Sequence, residues 1–230
     1  MLLKIKKMLR SRGYDVVRYH SFYDSALRPM GIQTIFDIGA NTGEFSKEMR
    51  ALFPEAQIFA FEPLRDCFEQ IQVKMAGDQK FQALNVALGA ENGESVIQRS
   101  SFHPSSSLLP MASLHKELYP KSKDSTEEKI QVMRLDDAVK TLSIDTPLFI
   151  KMDVQGFEDK VIVGGPHTIA LASVLQIETS FVPLYENQPL FDDIYQLVRN
   201  FGFTYWGETA KHYDKQDTLI YQDSIFVRKI

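Results

Sequence analysis

The sequence predicts an α/β fold: an open, mostly parallel sheet of about seven strands with helices on both faces. Three observations carry this. Short apolar runs of strand length alternate with stretches of helical apolar spacing, the ordering of parallel strands joined by covering helices. The first such run closes in a glycine-bearing turn, Phe36-Asp37-Ile38-Gly39-Ala40-Asn41-Thr42-Gly43, that opens into a helical stretch. Near the C-terminal end, two further runs with a tight connection between them would be antiparallel neighbours.

Taken in order, Thr34 to Ile38 reads as a buried strand ending at Gly39. From Glu44 to Phe53 the residues Phe45, Met49, Leu52 and Phe53 recur at helical spacing, and Pro54 stops the helix. Gln57 to Phe61 is a second strand, followed by Glu62-Pro63 and a helix from Arg65 to Ala76. Phe81 to Val86 makes a third strand, with Gly89 and Asn92-Gly93 read as turns. Glu94 to Gln98 and Ile130 to Arg134 flank a polar stretch, an irregular insert at about 99–129 that is too long for a simple connection. Asp136 is expected to cap a short helix running to Leu142. Leu148 to Asp153 is a central strand running into Gln155-Gly156, and a helix from Phe157 to Val163 ends at Gly164-Gly165-Pro166. Val174 to Glu178 is a strand, Leu190 to Phe201 an amphipathic helix stopped by Gly202, and Thr204–Trp206 and Asp223–Val227 are the last two strands.

The 230 residues, 44% hydrophobic and 24% charged, suffice for one large domain. The expected organisation is a basic N-terminal helical appendage over 1–30 and a single domain over 31–230. The net charge of −4 gives no drive toward nucleic acid. It hides an asymmetry: residues 1–30 hold seven Lys or Arg against Asp15 and Asp24, +5 in all, leaving −9 to the rest. Leu2, Ile5, Met8 and Leu9 sit at helical spacing among these cations. A helix packed beside the domain with a solvated basic face is the simpler expectation; weak membrane-surface contact through residues 1–12, or dimerisation into a homo-oligomer, is the other. No secretory signal and no transmembrane run is read. Cys67, the sole cysteine, excludes an intrachain disulfide and a Cys-based zinc site, is expected in the core, and fits a cytoplasmic location.

Ligands in open α/β sheets sit at the carboxyl ends of the strands. At the first of these ends, Gly39 and Gly43 permit close backbone approach, Asn41 adds a donor and an acceptor, and Asp37 could meet a cationic amino group directly or through water. The turn lacks the middle glycine of G-x-G-x-x-G, and a pyrophosphate tolerates an adjacent acid poorly. The phosphate-free, cationic S-adenosylmethionine suits it better, though an ordinary helix-entry loop would also read this way. Glu62, 19 residues after Gly43, could accept both hydroxyls of a ribose, or merely face solvent before a helix. About seven strands with an antiparallel C-terminal strand suit the class I methyltransferase version of the Rossmann-like fold.

The chain resembles the FkbM family of S-adenosylmethionine-dependent methyltransferases from about Thr34 to Phe203. The matching stretches are Phe36 to Glu44, Phe61-Glu62-Pro63, Asn85-Val86-Ala87-Leu88-Gly89, Val132 to Asp137 and Ile150 to Glu158. The resemblance implies S-adenosyl-L-methionine as cofactor, with Asp37, Gly39, Asn41, Gly43, Glu62, Pro63 and Val86 at its site. It also implies methylation of a hydroxyl on a sugar, glycan or secondary-metabolite acceptor. One departure is Gln155, where the family commonly has Glu; a smaller one is Arg134.

Strand alternation places Lys151, Asp153 and Gln155 on one face at a strand end. Asp153 is the first candidate for positioning the acceptor or taking its proton, with Lys151 as an orienting or base partner. A structural ion pair is the alternative. Glu178 could join the cluster, but two carboxylates are poor grounds for a cation, so no metal is expected. His103 and His115 fall in the insert and read as exposed, while His20, His167 and His212 show no metal spacing. Phe102, Leu108, Leu109 and Met111 could form a lid's apolar underside or pin the insert to the core. Two rival functions remain at this point: a nicotinamide-dependent oxidoreductase and a non-catalytic cofactor-binding scaffold.

Overall fold

The computed structural model describes residues 2–14, 22–100, 105–119, 122 and 124–228. The main sheet contains β1 (Thr34–Ile38), β2 (Gln57–Phe61), β3 (Phe81–Leu84), β7 (Leu148–Met152), β8 (Ala172–Ser180), β9 (Phe203–Tyr213) and β10 (Leu219–Arg228). Their order is β3-β2-β1-β7-β8-β10-β9, parallel up to β8, with β10 antiparallel to both β8 and β9. The order reverses at β1, which lies between β2 and β7, so the carboxyl ends of β1 and β7 frame the crevice of the switch point.

β1 and β7 are buried at every position because helices cover both faces. On one face Ile35, Phe149, Val174 and Ile225 pack with Met49 of α2 (Glu44–Leu52) and with Phe22 and Leu27. On the other, Phe36, Ile150, Leu175 and Phe226 pack with Val161 and Ile162 of α6 (Glu158–Gly164), and with Ile194 and Val198 of α8 (Phe191–Arg199). Cys67 is buried on α3 (Arg65–Lys74), as expected.

Several expectations change. The run Phe81–Val86 is not one strand: β3 stops at Leu84, and β4 (Ala87–Gly89) belongs to a second sheet, β4-β6-β5. Asn85 makes the break, its side-chain N–H groups bonding the carbonyls of Glu62 and Pro63 at 2.9 and 2.8 Å. Gly89 is therefore a strand residue and not a turn. Its carbonyl touches Gly164 so closely that a Cβ on Gly164 would lie 1.9 Å away, which keeps α6 a helix through Gly164. The strands flanking the insert, β5 (Gly93–Ser100) and β6 (Ser125–Arg134), are longer than expected because they pair antiparallel along their length.

Asp136 does not cap its own short helix, α5 (Leu135–Ala138). Its carboxylate accepts N–H bonds from His167 and Thr168 and the Thr168 hydroxyl (3.1, 2.9 and 2.7 Å), capping α7 (Pro166–Leu171) instead. Such caps contribute about 1 kcal/mol.

The N-terminal helix α1 spans Leu2–Arg10, and its Leu9 is half-buried. No residue from Lys4 to Tyr14 is buried, and Ile5 and Met8 are 43% and 49% exposed. His20, Phe102 and His103 lie outside the described residues. Among the described residues, no helix is long and apolar enough to cross a membrane.

Candidate active site at the carboxyl ends of the strands

The turn after β1 is built around one close approach. Gly39 has φ +73°, and a Cβ there would lie 1.9 Å from the carbonyl oxygen of Asp153, so only glycine lets the β1 and β7 loops meet. The N–H groups of Gly39 and Ala40 both bond the carbonyl of Phe61, tying the turn to β2 (3.0 and 3.1 Å). Asn41, itself at φ +47°, donates its N–H to Glu62 Oε2 at 2.8 Å, and Leu64 N–H reaches Oε1 at 2.9 Å. Burial pushes the Glu62 carboxyl up to about 7, against the opposing pull of those two N–H bonds.

A cleft opens over this turn. Its walls include Gly39, Asn41, Glu62, Pro63 and Val86, five of the seven residues expected at a cofactor, together with Asp153 and Gln155. Ser106, Ser107 and Leu108 of the insert cover it. The other two stand behind the lining. Gly43 is buried at the start of α2, against Ile71. Asp37 is fully buried: Oδ2 accepts the Ser46 hydroxyl at 2.7 Å, and Oδ1 lies 3.3 Å from Lys151 Nζ. That is a charge contact without hydrogen-bond alignment. Asp37 therefore stands behind the cleft wall, and Lys151 lies between it and Asp153.

Lys151 sits beneath the cleft floor. Nζ donates to the Gly39 carbonyl at 2.9 Å, lies 3.8 Å from Asp153 Oδ2, and stands over the Phe45 ring. Burial disfavours its charge, but Asp37 and Asp153 outweigh this and hold the ammonium above its ordinary value. A lysine so held is an orienting cation and not a base at neutral pH.

Lys151, Asp153 and Gln155 are brought together as expected, but not by strand alternation. β7 ends at Met152, and Gln155 reaches back through a left-handed backbone, φ +56°. Its amide Nε2 donates to Asp153 Oδ1 at 2.7 Å and to Glu178 Oε1 at 2.9 Å, so Glu178 does join the cluster. Burial and the nearby Asp153 push the Glu178 carboxyl well up. Among the described residues, no three His, Cys, Asp or Glu side chains form a cation cage.

Sequence reasoning missed three contributors. Glu158 Oε1 accepts the N–H groups of Val154 and Gly156 and pins the loop after β7 (3.0 and 3.3 Å); an acid at the first turn of a helix was its visible signal. Asp223 faces Glu178 across β10 and β8, and burial followed by Asp153 raises it to about 6. Tyr185 bonds Gln155 from a connection that carries no motif. His115, expected to be exposed, is buried on α4 (Ser113–Leu118) between Tyr119 and Tyr185, and burial pushes its pKa down. Leu108 faces the cleft while Leu109 and Met111 pack with Tyr185 and Ile220, so both expectations for the insert's apolar residues are met by different residues.

The strand order and the acid-lined cleft at the switch point define a methyltransferase of the class I fold. The methyltransferase FkbM domain model matches residues 37–205, and the chain belongs to that family. Its cofactor is S-adenosyl-L-methionine, which sets aside the nicotinamide and scaffold readings. The 2-O-methyltransferase NoeI of Sinorhizobium fredii is 29% identical over 178 residues, 73% of this chain and 71% of that protein. Among solved structures, the chain is similar to a precorrin-6y C5,15-methyltransferase from Geobacter metallireducens, at 11% identity and TM-score 0.46, covering 92% of this chain and 87% of that one. It is also similar to a TehB-like methyltransferase from Corynebacterium glutamicum, at 11% identity and TM-score 0.46, covering 99% and 96%.

The residues present suit this cofactor. The cleft combines apolar Val86 and Leu108 with two carboxylates, Glu62 and Asp153, fitting a cation that carries a flat base and ribose hydroxyls. Hydroxyl donors and positive charge both favour ionised Glu62, so binding competes with its protonation. Calorimetric affinity for S-adenosylmethionine should therefore strengthen as pH rises from 6 to 8, and Glu62→Gln should both weaken binding at least tenfold and flatten this dependence. An unaltered pH dependence in Glu62→Gln would remove Glu62 from the cofactor site.

Proposed function

We propose that the protein is an O-methyltransferase acting on a hydroxyl of a sugar, glycan or secondary-metabolite acceptor, with Asp153 as the group that receives the hydroxyl. The observation carrying this reading is the placement of Asp153. Its side chain is 35% exposed in the cleft wall, one oxygen fixed by Gln155 and the other turned toward the buried cation Lys151. The name of the curated relative, a 2-O-methyltransferase, supports an oxygen acceptor. Glu62, Asn41, Gly39, Pro63 and Val86 would hold the cofactor, and Gly43 and Asp37 would shape its site from behind.

S-adenosylmethionine, when bound, supplies a methyl carbon that already carries its leaving group. The chain's task is then to align an oxygen and remove its proton. Asp153 accepts the hydroxyl's hydrogen bond and takes the proton as the C–O bond forms, passing it later to solvent. Lys151, tied to Asp37 and Gly39, stays protonated and steadies the Asp153 anion. Gly39 is the hinge of the arrangement, since its carbonyl binds Lys151 and its missing Cβ admits the Asp153 loop.

Transfer from tritiated S-adenosylmethionine to a panel of sugars and polyols tests this. Asp153→Asn should lower turnover by about 10²–10⁴-fold, the usual worth of a positioned base, with cofactor affinity within about twofold of the parent. Turnover in Asp153→Asn within a factor of two would overturn the role, and label found only on amines would overturn the acceptor class.

For a partner, the same reading extends to α1. Its basic residues Lys4, Lys6 and Lys7 share one nine-residue helix with the exposed apolar Ile5 and Met8. Such a helix suits the surface of an anionic membrane. Co-sedimentation with phosphatidylglycerol vesicles should exceed that with phosphatidylcholine, and Lys4→Glu/Lys7→Glu should abolish the difference; equal recovery with both lipids would discard membrane contact.

A further inference from the structure

Tyr185 is among the largest fully buried side chains, yet it carries a hydroxyl that the methyl-transfer scheme leaves unused. That hydroxyl donates to Gln155 Oε1 at 2.7 Å. The opposite end of the same amide donates one hydrogen to Asp153 Oδ1 and the other to Glu178 Oε1. The main-chain carbonyl of Gln155 accepts the Ser107 hydroxyl at 2.6 Å. Every polar atom of the Gln155 side chain is thus spoken for, and each bond has one permitted direction: a phenol hydrogen meets only the amide oxygen, and carboxylates meet only the amide hydrogens.

From this geometry we infer that Tyr185 is a positioning residue which, through Gln155, fixes the Asp153 carboxylate and leaves its second oxygen for the acceptor and Lys151. The inference rests on the proposed role of Asp153. Two further features support it. Burial pushes the Tyr185 phenol far up, so it remains a donor at every working pH. Its oxygen also lies 3.3 Å from the Ser105 carbonyl and 3.4 Å from His115 Nε2. The same tyrosine therefore touches the insert that covers the cleft and, by one intervening amide, the acid that faces it.

Without the phenol, Gln155 Oε1 would lose its hydrogen-bond donor. The amide could then turn away, and Asp153 would lose a bond that favours its charged form. Besides Tyr185, the titratable groups facing Asp153 are Lys151 of β7, Glu178 of β8, Asp223 and Tyr221 of β10 and Glu158 of α6. With those unchanged, loss of the Gln155 bond moves the acid limb of the pH–rate profile to higher pH.

Tyr185→Phe keeps the ring and removes only the hydroxyl. The expected result is a kcat about tenfold or more below the parent, cofactor Kd within twofold, and an acid limb displaced upward, measured with tritiated S-adenosylmethionine and the sugar–polyol panel. Gln155→Leu should give the same displacement, and carries the test alone if Tyr185→Phe does not fold. A lowered kcat with an unmoved acid limb, or an unchanged kcat in either folded variant, overturns the inference. Asp153→Asn separates the two claims. Retained turnover there removes the parent reading, whereas lost turnover beside unaltered Tyr185→Phe and Gln155→Leu profiles removes the positioning role alone.

Discussion

The site depends on one buried cation. Lys151 lies next to the carboxyl end of a fully buried strand, and its charge is tolerated because Asp37, in register beside it on β1, and Asp153 offset the loss of solvent. Neither residue alone is compatible with that burial: removing one member of a buried pair leaves an uncompensated charge and typically costs about 3–5 kcal/mol. Together they join the two strands that frame the switch point. The same ammonium grips the Gly39 carbonyl, aiming the first turn, and reaches toward Asp153, aiming the loop after β7. The cleft between those two segments is shaped from below.

Around that cation the carboxyl edge of the sheet is crowded with acids. Burial raises Glu62, Glu158, Glu178 and Asp223 above the usual carboxylate range. Their ionisation is opposed by lost solvation and by one another, while Lys151 is held charged. A cofactor that brings its own positive charge completes such a surface, whereas a pyrophosphate would meet repulsion. Electrostatics thus agrees with the family to which the chain belongs.

How much of this is legible in the sequence depends on how local each determinant is. β1 and β2 fall at their expected boundaries because each is a short, mostly apolar run closed by Gly or Glu-Pro. Glu62 and the turn are readable for the same reason: their chemistry lies within about 25 residues of chain. The true task of Asp37 is not readable, because it is set by the pairing of β1 with β7, more than a hundred residues apart. Gln155 is read as one more residue of a strand face, but a left-handed backbone turns it into a bridge between two carboxylates. Asp136, Tyr185 and His115 fail likewise, since a cap on another helix or a bond across the fold leaves no periodic trace.

The dependence of the site on the Lys151–Asp37 pair is open to a double-mutant cycle of Asp37→Asn, Lys151→Met and both together, followed by chemical denaturation and cofactor calorimetry. Each single change should cost about 3–5 kcal/mol of stability, and the double far less than their sum, because it removes both charges at once. Additive costs, with cofactor affinity preserved in the single variants, would contradict the account.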